Sequence, residues 1–149
     1  NEYHKGSQQS VVVQIFKQIE KTGKATLFQS HNENYNDGLQ LRDFIWVGDC
    51  VDVMIWLSEN PGVNGLFNCG TGRARSFKEL AHAVFDSLKK KPNIIYIPTP
   101  ENIRDKYQYF TEANMNRLRL AGYTGESTSL EEGISKYVSE YLLLSDPYC

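Results

Sequence analysis

Leu41-Arg42-Asp43-Phe44-Ile45-Trp46-Val47-Gly48-Asp49, followed downstream by Asn68-Cys69-Gly70-Thr71-Gly72, is the pair of stretches on which the fold turns. The first lies in Leu39–Val47, a run rich in β-formers that predicts a strand with two charges, Arg42 and Asp43, embedded in it. Asp49 then stands where a helix N-cap belongs, ahead of the almost wholly apolar Val51–Leu57. A helix apolar on most sides is expected to be covered on more than one of them. Pro61 and Gly62 close it, and Gly65–Cys69 predicts a short strand that runs into the Gly70-Thr71-Gly72 turn. Helical and strand-like stretches alternate in this way along the chain, joined by Gly, Pro and Asn, which predicts an α/β protein.

Working outward, Val12, Ile15, Phe16 and Ile19 recur at helical spacing, so a helix is expected from about Ser7 to Thr22, stopping at Gly23. Ala25–Phe28 reads as a short strand and His31–Gly38 as a polar loop. Downstream, Ser76 and Glu79 form a capping box that opens a helix with the stripe Phe77, Leu80, Ala81, Val84, Phe85 and Leu88. Lys89-Lys90-Lys91 sits at its end, where cations complement the helix dipole, and Pro92 terminates it. Asn93–Ile97 is a strand candidate, while Thr111–Leu120 and Ser129–Leu143 predict helices separated by Gly122. The strands are short and scattered, fewer than a complete doubly wound sheet needs. No G-x-G-x-x-G or G-x-x-G-x-x-G stretch follows any of them, so the dinucleotide fingerprint is missing.

The 149 residues, 40% of them hydrophobic, are enough for one domain with its own core. With 16 basic against 18 acidic side chains and a net charge of −2, a general nucleic-acid or membrane-surface binder is not expected. Neither is a membrane span or a signal peptide, because the apolar runs are short and the first residues polar. Cys50, Cys69 and Cys149 are odd in number and form no C-x-x-C pair, and His4, His31 and His82 lack metal-ligand spacing. The expectation is a soluble, cytoplasmic protein without a metal.

Three segments carry residues that packing alone does not require. His4-Lys5-Gly6-Ser7 puts a lysine and a hydroxyl at a helix start, where backbone N–H groups favour an anion; Ser7 could equally be a plain N-cap. Arg42 inside a strand could hold a phosphate with two parallel hydrogen bonds, or pair internally with an aspartate. Lys106-Tyr107-Gln108-Tyr109-Phe110 is aromatic-rich, which ordinary packing would also explain. Gly70 and Gly72 read as a tight strand-to-helix turn, with a phosphate cradle helped by Arg73 and Arg75 as the other possibility.

In order along the chain, Arg-Asp-Phe-x-x-Val-x-Asp (Arg42–Asp49) and Asn-x-Gly-Thr-Gly (Asn68–Gly72) resemble the C-terminal half of the extended short-chain dehydrogenase/reductases, the nucleotide-sugar epimerases and dehydratases. Within that superfamily, His4-Lys5-Gly6-Ser7, Ser76-Phe77-Lys78-Glu79-Leu80-Ala81, Lys106-Tyr107-Gln108 with Phe110-Thr111, and Leu118-Arg119-x-Ala121-Gly122-Tyr123 resemble the ADP-glyceromanno-heptose 6-epimerases. The likeness covers essentially the whole chain, with an apparent insertion in the His31–Gln40 loop. It implies a small α/β substrate domain plus the last elements of an incomplete Rossmann sheet. The family's glycine-rich loop and Tyr-x-x-x-Lys pair would lie N-terminal to this sequence, and its Asn-Val-Tyr-Gly-Pro segment would end just before Asn1. The expectation is therefore an incomplete enzyme, inactive by itself.

The activity implied is epimerisation at C6 of an ADP-linked heptose, with hydride passed to NADP and returned to the other face, in a homo-oligomeric enzyme of lipopolysaccharide precursor synthesis. By the same resemblance Lys5 is the second acid/base and a cofactor contact. A lysine with a free pKa of about 10.4 needs burial or a neighbouring cation to act as a base near neutrality. Substrate binding carries over to Ser7, to Gln14 (a histidine in well-known members), to Phe28-Gln29-Ser30-His31, to Arg42 and to Tyr107. Arg42 would neutralise the diphosphate, Phe28 would lie near the adenine, and Ser7 and Tyr107 would hydrogen-bond phosphate or sugar oxygens. Two alternatives stay open: an epimerase or dehydratase of another nucleotide sugar, and a non-catalytic nucleotide-sugar-binding or subunit-interaction module.

Overall fold

The structure is a computed structural model that describes residues 2–144, with Tyr3 and Ser7 described in backbone only. A 3-10 segment, Tyr3–Gln8, is broken at Gly6 (φ 55°, ψ −121°) and leads into α1, Val11–Thr22. That helix starts about four residues later than the periodicity predicts, because Ser10 and not Ser7 is its cap: the Ser10 side chain accepts from the Val13 N–H. Its end falls where expected, with Gly23 in the left-handed region (φ 69°) and its N–H bonded to the Ile19 carbonyl.

Strand β1, Ala25–Phe28, pairs in parallel with β4, Ile94–Ile97, in the register Ala25 to Ile94 through Phe28 to Ile97. Their chain ends therefore emerge on the same side. Between them in sequence lie β2 (Leu41–Arg42), α2 (Val47–Glu59), β3 (Arg75–Ser76) and α3 (Phe77–Ser87). β2 and β3 form a short antiparallel pair. After β4 come α4 (Glu101–Arg104), α5 (Asn116–Leu120) and α6 (Leu130–Tyr137), which loosens into a π-helical turn over Val138–Leu142.

Helices α1, α3 and α6 enclose β1 in one core. Val13, Ile15, Ile19, Leu80, Val84, Phe85, Ile134 and Val138 are all buried there, and a fully buried side chain of this size contributes about 1.5–3 kcal/mol. Both α3 and α6 open on complete capping boxes, Ser76 with Glu79 and Ser129 with Glu132. A second, smaller cluster, Val53, Leu118 and Tyr123 with Trp56, Leu57, Phe67 and Met115 around it, ties α2 to the segment around α5.

Four expectations need correction. The predicted strand Leu39–Val47 is reduced to Leu41–Arg42, because β2 has only the two residues of β3 to pair with. Asp49 is not an N-cap; it lies in the first turn of α2, where its carboxylate accepts from the Thr128 N–H (2.9 Å) and hydroxyl (2.7 Å). Gly65–Cys69 is not a strand: among the described residues no other strand lies beside it to complete its ladder, and Leu66 is 82% exposed. The predicted helix Thr111–Leu120 begins only at Asn116, since Thr111 and Ala113 bond to Leu41 and Asp43 instead.

Helix α2 also differs from the burial expected of it. Val53 is covered, whereas Val47, Val51, Met54 and Ile55 are exposed, so its apolar surface is satisfied on one side only among the described residues.

Candidate functional site

The parallel pair β1–β4 delivers Phe28 and Gln29 to the end of the strands, where α/β proteins place ligands. Gln29 extends the ladder, donating its N–H to the Ile97 carbonyl (2.8 Å) and accepting from the Thr99 hydroxyl (2.9 Å). Ser30 follows, its N–H bonded to Asp37 (2.7 Å), and the exposed His31 donates its N–H to the Tyr109 hydroxyl (2.8 Å). The carbonyl of Phe28 accepts from the side chain of Gln40, which is 1% exposed. This buried amide fixes the strand end against β2.

Arg42 faces this strand end. Its guanidinium donates to the carbonyls of Leu41 (2.7 Å) and Gln108 and lies over two rings, Tyr107 (5.6 Å) and Phe77 (5.7 Å). Tyr107 in turn meets the Phe28 ring edge-on at 6.2 Å. Among the described residues Arg42 has no carboxylate partner. Its stem and one edge are held by protein while the charge itself is not neutralised, and that is how an anion-binding arginine is built. Burial raises the Tyr107 phenol, with Arg42 opposing and Tyr109 adding to the rise, so it is a neutral hydrogen-bond donor at physiological pH.

The internal Arg42–Asp ion pair is therefore not what the motif encodes. Asp43 turns the other way, and its carboxylate accepts from the N–H groups of Thr71 (2.8 Å), Gly72 (2.9 Å) and Ala113 (2.9 Å) and from the Thr71 hydroxyl (2.5 Å). Burial pushes its carboxyl up, but these four donors outweigh it and hold the group below its ordinary range. The Gly70-Thr71-Gly72 turn does cradle an anion, and that anion is Asp43. Gly72 has φ 69°, and a Cβ on Gly70 would lie 2.4 Å from Ala113 Cβ and 2.7 Å from Asp43 Oδ2. Both glycines thus serve the tight turn, and the phosphate-cradle alternative is displaced.

Lys5 occupies a different place. With Glu2, Ser10, Phe44, Trp46, Tyr137 and others it lines a cavity of about 490 Å³ that does not include Arg42 or Tyr107. Phe44, packed edge-on against Phe77 at 5.4 Å, stands between the two regions. The Lys5 side chain is 45% exposed and its ammonium lies 3.6 Å from the Glu2 carboxylate. Among the described residues, neither deep burial nor an adjacent cation surrounds it. Glu2 also accepts from the Ser10 N–H (2.6 Å) and the Tyr137 hydroxyl (3.0 Å). Burial raises its carboxyl, and those bonds together with Lys5 bring it below the usual carboxylate range.

Of the residues singled out in the sequence, Phe28, Gln29, Ser30, His31, Arg42 and Tyr107 gather at one end of the β1–β4 pair. Gln14 does not: it is exposed on α1 with its amide bonded to the Gln9 carbonyl (2.8 Å). The Ser7 side chain lies outside the described residues. Tyr109, Phe77 and the Gln108 carbonyl belong to the cluster and were not read as site residues. Tyr109 stood in the aromatic run that flagged Tyr107, while Phe77 fitted the helical stripe of α3 equally well. Cys69 is exposed, and partial burial, its neighbour Cys50 and Asp49 and Asp43 push its thiol up to about 11, which disfavours the thiolate. Among the described residues no three His, Cys, Asp or Glu side chains gather as a metal site, and no helix is long and apolar enough to cross a membrane.

A dinucleotide does not fit the described residues by themselves. The one glycine turn that leads into a strand and helix closes on Asp43, and a lysine–glutamate pair at a cavity mouth is no pyrophosphate cradle.

The sequence profile of the NAD dependent epimerase/dehydratase family matches residues 2–70. Over 148 residues the chain is 51% identical to an ADP-L-glycero-D-manno-heptose-6-epimerase of Nitratidesulfovibrio vulgaris (strain DP4), covering 99% of this chain and 46% of that protein. A protein of the same name from Fusobacterium nucleatum is 44% identical, again over 99% of this chain and 46% of its own length. The chain thus spans about half the length of the curated relatives it matches. Among solved structures, the Helicobacter pylori ADP-L-glycero-D-manno-heptose-6-epimerase shares the fold with a TM-score of 0.75 at 24% identity, over 96% of this chain and 41% of that one. UDP-glucose 4-epimerase of Thermus thermophilus, solved with NAD, has a TM-score of 0.66 at 22% identity, over 84% of this chain and 37% of its own. Motif order, fold and identity agree in what the chain is similar to: the NAD dependent epimerase/dehydratase family over residues 2–70, and ADP-L-glycero-D-manno-heptose-6-epimerases over about half of their length.

Proposed function

We propose that this chain is the nucleotide-sugar-binding portion of an epimerase that inverts C6 of ADP-D-glycero-D-manno-heptose to give ADP-L-glycero-D-manno-heptose. The relatives that carry this activity in their names are 42–51% identical to the chain, and their names support the substrate. In this reading a nicotinamide cofactor, NADP in the form we propose, is held by a Rossmann portion outside these residues. It supplies reversible hydride storage. Residues 1–149 contribute the substrate domain, and the elements around 42–69 complete the Rossmann unit.

The observation that carries the reading is Arg42. Its guanidinium is oriented by two carbonyls and two rings, has no carboxylate partner among the described residues, and sits beside Phe28 and Tyr107 at the strand ends. A diphosphate supplies the missing counter-charge. Tyr107 is placed to donate a hydrogen bond to a phosphate or sugar oxygen, and Phe28 with the 29–31 backbone offers an apolar edge and polar atoms for the nucleoside. Lys5 exchanges the second proton in this scheme, with Glu2 holding its ammonium and closure of the other half around the 490 Å³ cavity supplying the burial it lacks here.

The test is turnover of ADP-D-glycero-D-manno-heptose by the complete polypeptide that carries this sequence. Arg42→Ala should raise KM at least tenfold, since a charge-assisted phosphate contact is worth about 1.5–3 kcal/mol. Arg42→Lys should recover only part of it, because an ammonium cannot reproduce the planar fork. If the polypeptide leaves ADP-heptose unchanged yet turns over a UDP- or GDP-sugar, the substrate assignment falls and the alternative epimerase or dehydratase replaces it.

A further inference from the structure

Beyond the 29–31 backbone, the 31–38 loop has no part in the function proposed so far. Its placement gives it one. The Asp37 carboxylate accepts from the Ser30 N–H at 2.7 Å and so closes the loop at its base. Gly38 (φ 73°) then passes so near β4 that a Cβ there would lie 2.9 Å from the Tyr96 ring, and its carbonyl accepts from Lys78 N–H at 2.9 Å. A loop pinned in this way at its start and end is a rigid support, not a lid.

What it supports is the aromatic wall of the candidate site. The Tyr35 ring packs on Tyr109 at 5.3 Å, and the His31 N–H bonds to the Tyr109 hydroxyl at 2.8 Å. Tyr109 meets Tyr107 edge-on at 5.3 Å, Tyr107 meets Phe28 at 6.2 Å, and the Arg42 guanidinium lies 5.6 Å over Tyr107. The backbone follows the same line. Leu41 N–H donates to the Tyr109 carbonyl at 2.8 Å, Thr111 N–H returns to the Leu41 carbonyl at 3.2 Å, and the carbonyl of Gln108, between Tyr107 and Tyr109, accepts from Arg42. The segment bearing Tyr107 and Tyr109 has no regular secondary structure of its own, so the orientation of its rings rests on these contacts.

We infer that Tyr35 is a positioning residue of the nucleotide-sugar site: the 31–38 loop holds Tyr109, Tyr109 holds Tyr107, and Tyr107 sets the plane of Arg42 that receives the diphosphate. The inference rests on the site proposed above. Edge-on and tilted ring contacts orient their partners as well as attract them, and a guanidinium that binds two phosphate oxygens at once depends on its plane more than on its position. Loss of the first ring frees the others to turn, and affinity for the ligand falls although no residue touching the ligand has changed.

The experiment uses the complete polypeptide and ADP as the probe, with binding measured by calorimetry and KM and kcat measured for ADP-heptose. Tyr35→Ala should weaken ADP binding about five- to tenfold and raise KM more than it lowers kcat, whereas Tyr35→Phe, which keeps the ring, should bind within about twofold of the parent. Tyr35→Leu preserves apolar bulk without a ring and should behave as Tyr35→Ala; its melting temperature, close to the parent's, separates loss of orientation from loss of fold. Wild-type ADP affinity in Tyr35→Ala and Tyr35→Leu, with affinity lost in Arg42→Ala, would overturn the role of the loop while leaving the site intact. An equal loss in Tyr35→Phe and Tyr35→Ala would overturn ring packing as the link. Wild-type affinity in Arg42→Ala as well would remove the site itself, and the inference with it.

Discussion

At Gly70 and Asp43 two residues far apart in the chain limit each other. The carboxylate collects three N–H groups and a hydroxyl from Thr71, Gly72 and Ala113, and Gly70 has no room for a side chain because Asp43 and Ala113 occupy it. Gly70→Ala should therefore destabilise by about 1–3 kcal/mol, the usual result of forcing one methyl into a packed site, read as a lowered thermal midpoint. Asp43→Asn leaves one acceptor oxygen and turns an NH₂ toward donors. Its effect has a pH signature. A carboxyl held below its ordinary value of 3.8 stabilises fully above that value and loses the contribution as pH falls through the folded value. Melting temperatures of the parent and Asp43→Asn should differ at neutral pH and converge in acid. A constant gap down to low pH would show that the charge on Asp43 is not what the turn needs. That the glycines form a tight turn could be read from the sequence. Which anion the turn closes on could not, because the contact spans 28 residues and no local pattern encodes it.

Capping boxes and hydrophobic stripes are local, and the elements that depend on them, α1, β1, α3 and α6, lie where the sequence predicts to within a few residues. Gly65–Cys69 fails for the opposite reason. A strand exists only when a neighbour completes its hydrogen bonds, and among the described residues that neighbour is missing. Helix α2 shows the same dependence in its side chains: an almost wholly apolar stretch requires two covered faces, and here Val47, Val51, Met54 and Ile55 stay exposed at 65%, 41%, 60% and 50%. Such a face on a helix marks a surface made to be covered. Met54→Lys with Ile55→Lys should change the stability of the 149-residue chain by less than about 0.5 kcal/mol each, as surface substitutions do, and should reduce its binding of an apolar-surface dye. In the complete polypeptide the same pair should be strongly destabilising, by the amounts typical of buried charge. If the pair is tolerated equally in both, α2 is not an internal docking face.

Across the whole molecule, a well-packed core stands beside a candidate site that has a nucleotide side but, among the described residues, no built dinucleotide pocket. The cluster of α1, α3, α6 and β1 buries aliphatic and aromatic side chains to the levels of an independent domain, so residues 2–144 have what is needed to hold the 28–42–107 site in place. The cofactor side has no such support: the only Gly-Thr-Gly turn is closed by Asp43, and Lys5 is half exposed beside Glu2. Binding and chemistry should therefore separate in the 149-residue chain. It should bind ADP measurably, at an affinity that Arg42→Ala lowers at least about tenfold. It should show no binding of NADP or NAD by fluorescence of the reduced dinucleotide, and no epimerisation of ADP-heptose. A measurable dinucleotide affinity in this chain would place part of the cofactor site within these residues and would undo the division of labour proposed here. If ADP fails to bind while the chain melts cooperatively, substrate affinity depends on contacts across the two halves, and the assignment of the whole nucleotide site to this one would fall.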